Sequence, residues 1–194
     1  RDMNFGRFVL ANFLYNFGQA SFFAYLTLFI RQSAQASQEV AGLCYGVAQI
    51  FSVAARLGWG AVSDFLFKGQ RKALTVSLGL AAAVFLAAMT QVAPGWGLTL
   101  GIGLSAALGL TIASYAPLMQ TMSTEAVPRH LTGSAVGYNM VGTSMGSIVG
   151  PPVFGAAIDY TGAFESGWLL CSVLVAAGVA LLAFGFRERG TTKE

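Results

Sequence analysis

The chain has 194 residues, of which 55% are hydrophobic and 10% are charged, with a formal net charge of +3 and a mean hydropathy of +0.65. Soluble domains carry about 25% charged residues, so this composition excludes an ordinary soluble globular domain. The few charges lie in short gaps between long apolar runs, and this excludes nucleic-acid binding as the reason for the positive charge. We therefore expect an integral membrane protein whose surroundings are a lipid bilayer.

Six apolar runs follow one another along the chain, and each is long enough to cross a bilayer core as a helix of roughly 20 residues. None alternates apolar and polar residues as a barrel strand does. The first run is too long for a cleaved signal peptide. We predict an all-α membrane protein in which one domain, residues 1–194, contains six transmembrane helices. These spans are expected at about 8–30, 40–63, 73–93, 97–123, 131–158 and 166–186.

The basic residues are distributed unequally between the two ends of the predicted helices. Nine of the 11 Lys and Arg lie in the termini and in the loops on the same side as the termini. Arg31 is the one basic residue in a loop on the other side, and Arg56 lies within a span. Cytoplasmic loops are enriched in Lys and Arg. We therefore expect both termini to be cytoplasmic and the protein to lie in a cell membrane, namely a bacterial inner membrane.

Small residues and prolines within the spans predict how the helices pack. Small residues four positions apart let membrane helices approach closely. In the fifth span this spacing is occupied by Gly142, Gly146 and Gly150. Pro117 in the fourth span removes a helix hydrogen bond, and so do Pro151 and Pro152 in the fifth. We expect a tight bundle in which these helices either carry fixed kinks or flex beside a solute pathway.

Arg56 is the most informative polar residue of the spans. It lies about 12 Å deeper in the second span than Asp64, at a rise of about 1.5 Å per residue. A charge at such depth costs at least roughly 2.5 kcal/mol and usually faces the bundle interior or a water-filled cavity. One helix face carries Tyr45, Gln49, Ser52 and Arg56. Two interpretations stay open: this stripe lines a solute cavity with Arg56 as an anion ligand, or Arg56 reaches the interface or pairs with helix carbonyls.

Neutral polar residues provide the remaining candidates for solute contact. Asn12, Asn16 and Gln19 form a second stripe in the first span, while Tyr115 and Asn139 lie in the fourth and fifth spans. Amides and hydroxyls suit the binding of a polar solute. The alternative, which stays open, is that they form hydrogen bonds between helices.

The sequence does not contain the residue patterns of an enzyme. It has a single His, and it contains no zinc-binding helix motif, phosphate-binding loop or nucleophile elbow. Cys44 and Cys171 lie in spans without metal-ligand spacing, and we interpret them as small buried residues, although a disulfide between them stays open. No Asp or Glu lies near the middle of a span. We expect no enzymatic activity, no cofactor and no metal, and we expect any proton-carrying group to lie outside this chain.

Two segments resemble the motifs of the major facilitator superfamily. Residues 56–72 are similar to its loop signature between the second and third helix of a six-helix half, and residues 133–162 are similar to the fifth helix of a C-terminal half. The resemblance implies a twelve-helix carrier with the solute site between two six-helix halves. This chain would be the C-terminal half, and its partner would be an N-terminal half in the same parent chain or in a separate subunit. The signature residues, which would latch the inner gate, are Gly60, Asp64, Lys68, Gly69, Arg71 and Lys72.

Within that superfamily, Arg56 and the segments 135–137 and 150–152 resemble monocarboxylate and oxalate:formate-type carriers. The resemblance implies that Arg56 binds a carboxylate. Ser52 stands where the monocarboxylate type has an Asp one turn before that Arg. We expect a secondary active transporter, a symporter or antiporter, that moves a small organic anion such as a monocarboxylate by alternating access. Two alternatives stay open: a drug or neutral-solute exporter of the same superfamily, and a six-helix membrane scaffold that self-associates without transport.

Overall fold

The computed structural model describes residues 3–65, 70–94 and 97–186, and every regular element in these ranges is helical. The helices are α1 (Met3–Ser33), α2 (Gln38–Phe65), α3 (Arg71–Ala88), α4 (Gly97–Leu110), α5 (Ala116–Glu125), α6 (Thr132–Thr161) and α7 (Phe164–Ala180). Short 3₁₀ turns at Met89–Gln91 and Arg129–Leu131 precede α4 and α6, and a π-helical turn at Leu181–Gly185 extends α7.

Five of the predicted spans correspond to helical segments that are long and apolar enough to cross a membrane. This agrees with the prediction of an all-α membrane protein. Pro151 and Pro152 lie inside α6, which nevertheless continues without a break. These segments are Asn4–Ser33, Gln38–Ser63, Arg71–Gln91, Arg129–Thr161 and Phe164–Gly185.

The fourth predicted span, 97–123, differs from expectation because it consists of two helices. α4 ends at Leu110, residues 111–114 form a turn, and α5 begins at Ala116. Pro117 explains the position of the break. In an unbroken helix the N–H of residue 117 would donate to the carbonyl of Ala113, four residues earlier, but proline has no N–H. The Ala113 carbonyl therefore needs another donor.

Close contact between α1 and α6 holds the centre of the bundle together. A Cβ at Gly146 would stand 2.6 Å from the Phe13 carbonyl oxygen, and one at Gly150 would stand 2.8 Å from the Phe17 carbonyl oxygen. Both partners are backbone atoms, so they cannot move aside as a flexible side chain would. The four-residue glycine spacing is thus used as predicted, because it lets the two backbones approach each other.

A second close contact joins α2 to α4. A Cβ at Gly109 would collide with the Ala48 backbone carbonyl, so only glycine fits at this crossing. The contact brings the middle of α2 beside the end of α4 and the turn that follows it. Cys44 and Cys171 are both buried and free, so they do not form the disulfide left open by the sequence.

The signature residues predicted to form a gate are described only in part. Lys68 and Gly69 lie outside the described residues, and the side chain of Asp64 does too. Gly60 lies in α2 with open space where a Cβ would be. Arg71 at the start of α3 forms an ion pair with Glu125 at the end of α5. Lys72 donates to the backbone carbonyl of Phe186 beyond α7, so both described cations of the motif connect helix ends.

Candidate functional site

The backbone carbonyl of Ala113, in the break between α4 and α5, is the point where several predicted site residues meet. Gln19 Nε2 donates to this oxygen at 3.0 Å and Ser52 Oγ at 2.8 Å. Arg56 donates to it twice, through Nε at 3.2 Å and Nη2 at 2.9 Å. α1 supplies Gln19, and α2 supplies the other two donor residues, Ser52 and Arg56. The carbonyl that loses its helical partner to Pro117 is therefore satisfied by side chains of two neighbouring helices.

The number of donors at this oxygen exceeds what a neutral carbonyl can use. A carbonyl oxygen has two lone pairs, whereas four N–H and O–H groups converge on that of Ala113. An ionised carboxylate offers roughly four lone-pair sites and also carries the negative charge that a guanidinium prefers. The cluster therefore contains more hydrogen-bond donors than the Ala113 carbonyl oxygen can accept.

Arg56 is an exposed residue, although it donates to this carbonyl. Within the described ranges it has no carboxylate partner, because the ion pair found there joins Arg71 to Glu125. One turn further along α2, Trp59 Nε1 donates to the Leu110 carbonyl at 3.0 Å and to Ser114 Oγ at 2.8 Å. The α2 face that carries Arg56 therefore lies against the end of α4 and the turn that follows it.

A second polar cluster lies between α1, α5 and α6. Asn12 Nδ2 donates to Asn139 Oδ1 at 2.6 Å and to Thr143 Oγ1 at 2.9 Å, and Asn139 Nδ2 donates to Gln120 Oε1 at 3.3 Å. These side chains line a partly enclosed cavity of about 320 Å³. The other lining residues are Tyr115, Ala116, Met140 and Ser144. No lining residue carries a charge, so this cavity offers hydrogen bonds but no ion pair.

Asn16 and Tyr115 connect the two clusters. Asn16 Nδ2 donates to Gln19 Oε1 at 3.2 Å, and Asn16 Oδ1 accepts from Ser147 Oγ at 2.6 Å. The Tyr115 ring packs on that of Tyr15 with ring centroids 5.0 Å apart. Its hydroxyl is buried and approaches Asn16, yet it makes no hydrogen bond of normal geometry with any described residue. A buried hydroxyl without a partner is costly and usually has a functional or solvent explanation.

The structure brings most of the predicted site residues together and separates two of them. Gln49 donates to Tyr45 at 3.2 Å, and Tyr45 packs edge-on against Phe23. These two residues therefore do not join the cluster at Ala113, although they share a helix face with Ser52 and Arg56. The structure adds residues to the site that the sequence pattern did not indicate: Trp59, Gln120, Thr143, Ser144 and Ser147.

Solved structures with the same fold are transporters. The chain superposes on the fucose:proton symporter of E. coli with a TM-score of 0.75, at 16% identity, over 95% of this chain and 43% of that one. It superposes on the inward-open xylose transporter of E. coli with a TM-score of 0.71, at 14% identity, over 95% of this chain and 47% of that one. At these identities the likeness establishes the fold alone.

Sequence comparison identifies the family. Monocarboxylate transporter 11 of Mus musculus is 32% identical over 143 residues, which are 71% of this chain and 32% of that protein. The chain thus spans about a third of the length of this relative and less than half of either solved transporter. Residues 8–194 match the profile of the Major Facilitator Superfamily. With its apolar helices and this match, the chain is an integral membrane protein, and it belongs to the Major Facilitator Superfamily.

Proposed function

We propose that the chain is the C-terminal half of a secondary active transporter that moves a small organic anion by alternating access. Arg56 would hold the carboxylate of the anion. Ser52 and Gln19 would supply neutral hydrogen bonds beside it. The remaining predicted contacts, Asn12, Asn16, Tyr115 and Asn139, would shape the adjoining space.

The observation that carries this proposal is the excess of donors at the Ala113 carbonyl. Four hydrogen bonds from three side chains meet one neutral oxygen, and Arg56, which makes two of them, is an exposed residue. A carboxylate arriving at Arg56 would satisfy donors that the carbonyl serves poorly, and it would supply the missing negative charge. The carbonyl would act as the resting partner of these donors when no solute is present.

The partner half is a further part of the proposal. α2 and α6 are the least buried of the five long helices, and they leave large apolar side chains uncovered. Their outward apolar residues include Ile50, Val53, Leu57, Val141, Met145 and Ile148. A second six-helix half would cover part of this surface and complete the solute cavity, and lipid would cover the rest. In this arrangement Arg71 and Glu125 would lie at the cytoplasmic end.

Thermal stability of the full-length protein in detergent tests the carboxylate assignment. Wild type, Arg56→Lys and the control Arg31→Lys would be heated with acetate, oxalate, hexanoate or gluconate. A ligand that binds the folded state stabilises it and so raises its melting temperature. At a ligand concentration of 100 times Kd, the stabilisation is about 2.7 kcal/mol. We expect at least one carboxylate to stabilise wild type and the control but not Arg56→Lys, because lysine lacks the bidentate fork. An equal shift in all three proteins would refute the role of Arg56.

A neutral solute is the second candidate function. The hydrogen bonds of Arg56 to the Ala113 carbonyl favour it, since the same contacts could give Arg56 a purely structural role. The uncharged lining of the cavity beside Tyr115 is also compatible with a neutral solute. Transport that persists in Arg56→Ala and that carboxylates do not inhibit would favour this candidate.

A further inference from the structure

The cavity between α1, α5 and α6 has a lining suited to hydroxyl groups. Its polar lining residues are amides and hydroxyls, which both donate and accept hydrogen bonds, as a solute hydroxyl does. Within the described part of the chain, their mutual hydrogen bonds leave the Gln120 amide nitrogen and the Ser144 hydroxyl without protein acceptors. The buried Tyr115 hydroxyl also lacks a partner. Three polar groups around the cavity thus have unused hydrogen-bonding capacity.

The cavity also begins beside the carbonyl that holds Arg56. Tyr115 lies two residues after Ala113, and trans-linked Cα atoms are about 3.8 Å apart, so their Cα atoms are at most roughly 7.6 Å apart. Ala116, the next residue, lines the cavity too. The residue whose carbonyl binds Arg56 is therefore a close chain neighbour of two residues that line the cavity.

The volume of the cavity limits the part of the solute that it can hold. About 320 Å³ is at the lower end of ligand pockets, which span roughly 300–1,000 Å³. At about 30 Å³ per molecule of liquid water, this space corresponds to roughly ten water molecules, and covalently bonded atoms pack more closely than separate waters. The roughly ten non-hydrogen atoms that a six-carbon sugar acid has outside its carboxylate therefore fit in it.

From these observations we infer that the cavity lined by Asn12, Tyr115, Gln120, Asn139, Thr143 and Ser144 binds the hydroxylated part of the transported anion, so that the solute class is polyhydroxylated carboxylates. This inference rests on the proposed function, because Arg56 must bind the carboxylate of the same molecule. It predicts selectivity against a plain aliphatic acid, since an aliphatic chain would cover the Gln120 amide and the Ser144 hydroxyl without giving them partners.

Three matched compounds test the inference on the full-length protein by thermal stabilisation and by uptake into proteoliposomes. Gluconate carries both the carboxylate and the hydroxyls, hexanoate lacks the hydroxyls, and sorbitol lacks the carboxylate. We expect gluconate to bind at least tenfold more tightly than hexanoate, because each neutral hydrogen bond contributes about fivefold. We expect no measurable effect of sorbitol at the same concentration.

Two variants and a control locate the effect within the cavity. Tyr115→Phe keeps the ring against Tyr15 and removes only the hydroxyl, and Gln120→Met removes the amide at similar length. Each should weaken gluconate about fivefold and leave hexanoate unchanged. Thr121→Val, which removes a hydroxyl from the same helix outside the cavity lining, should change neither compound.

The outcomes separate failure of this inference from failure of the proposed function. Equal binding of gluconate and hexanoate, both lost in Arg56→Lys, would overturn the inference and leave the anion carrier intact. Binding of sorbitol and gluconate that is equal and independent of Arg56 would overturn both. Absence of any Arg56-dependent binding of gluconate would also overturn the inference.

Discussion

Replacing Arg56 with Met removes two donors from the Ala113 carbonyl and leaves two, Gln19 Nε2 and Ser52 Oγ. Two donors are enough for the two lone pairs of a carbonyl oxygen. The substitution also removes a charge whose presence in the membrane is unfavourable. We therefore expect Arg56→Met to change the free energy of unfolding by no more than about 1 kcal/mol, although it should abolish transport of carboxylates.

The stability loss should become large only when all donors are removed together. The triple variant Gln19→Met, Ser52→Ala, Arg56→Met leaves the Ala113 carbonyl buried without a partner, at a cost of about 1–3 kcal/mol. Gln19→Met also deprives Asn16 of an acceptor, so the informative quantity is the excess of the triple variant over the sum of the three single variants.

Thermal unfolding in one detergent measures these differences. A change of 1 kcal/mol corresponds to about 2–4 °C in Tm for a soluble domain of this size, and we take that as the scale. Single variants should lie within a few degrees of wild type, and the triple variant should show several degrees of additional loss. If Arg56→Met alone lowered Tm as far as the triple variant, Arg56 would be the architectural support of the helix break. That result would refute the argument that Arg56 is available to a solute.

Three further predictions concern other parts of the fold. Gly146→Ala should destabilise the protein by about 1–3 kcal/mol in thermal unfolding, because the added Cβ meets the α1 backbone, whereas Gly137→Ala on the same helix, with open space around it, should be neutral or stabilising. Glu125→Gln breaks an exposed ion pair and should change stability by less than about 1 kcal/mol, and a larger loss would indicate a stronger latch. Cys44 and Cys171 are buried and free, so a maleimide should label neither residue before unfolding, and rapid labelling in the folded protein would contradict this packing.

The spans and the glycine contacts follow directly from the sequence. Apolar run length is a strong signal for a membrane helix, and the spacing of Gly142, Gly146 and Gly150 correctly predicted a close helix contact. The depth of Arg56 left two interpretations open, an anion ligand in a cavity or a partner of backbone carbonyls, and the structure shows hydrogen bonds to the Ala113 carbonyl. These features depend on local composition and helical periodicity, which a single sequence displays in full.

The hydrogen-bond partner of Arg56, the Ala113 carbonyl, is distant in sequence, and helical periodicity does not reveal such a contact. Pro117 is recognisable in the sequence as a helix breaker. The carbonyl that it leaves without a helical partner lies four residues earlier, at Ala113. The donors to that carbonyl can be assigned only once the position of α2 beside it is known. Ser52 and Arg56 reach this carbonyl, whereas Tyr45 and Gln49 on the same face lie too far along α2 and bond to each other. The spacing of residues on a helix shows which face a side chain is on but not which neighbouring residue it contacts.

The cavity was also only partly foreseen. Asn12 and Asn139 were identified because amides are unusual within a span, and the structure joins them at 2.6 Å. Gln120 carries the same signal and was missed because it lies near the expected end of the fourth span. Thr143 and Ser144 are common in membrane helices as packing residues, so their role becomes visible only once α1, α5 and α6 are assembled.

Carboxylate uptake into proteoliposomes by the full-length protein tests the central claim, that Arg56 exchanges the Ala113 carbonyl for the carboxylate of a solute. Wild type, Arg56→Lys and the Arg31→Lys control would be reconstituted at equal amounts and assayed with labelled acetate, hexanoate and gluconate. We predict uptake of at least one of these acids by wild type and the control, and a loss of at least about tenfold in Arg56→Lys with little change in Tm. Uptake by Arg56→Lys at the wild-type rate would contradict the claim and would leave Arg56 as a support of the broken helix.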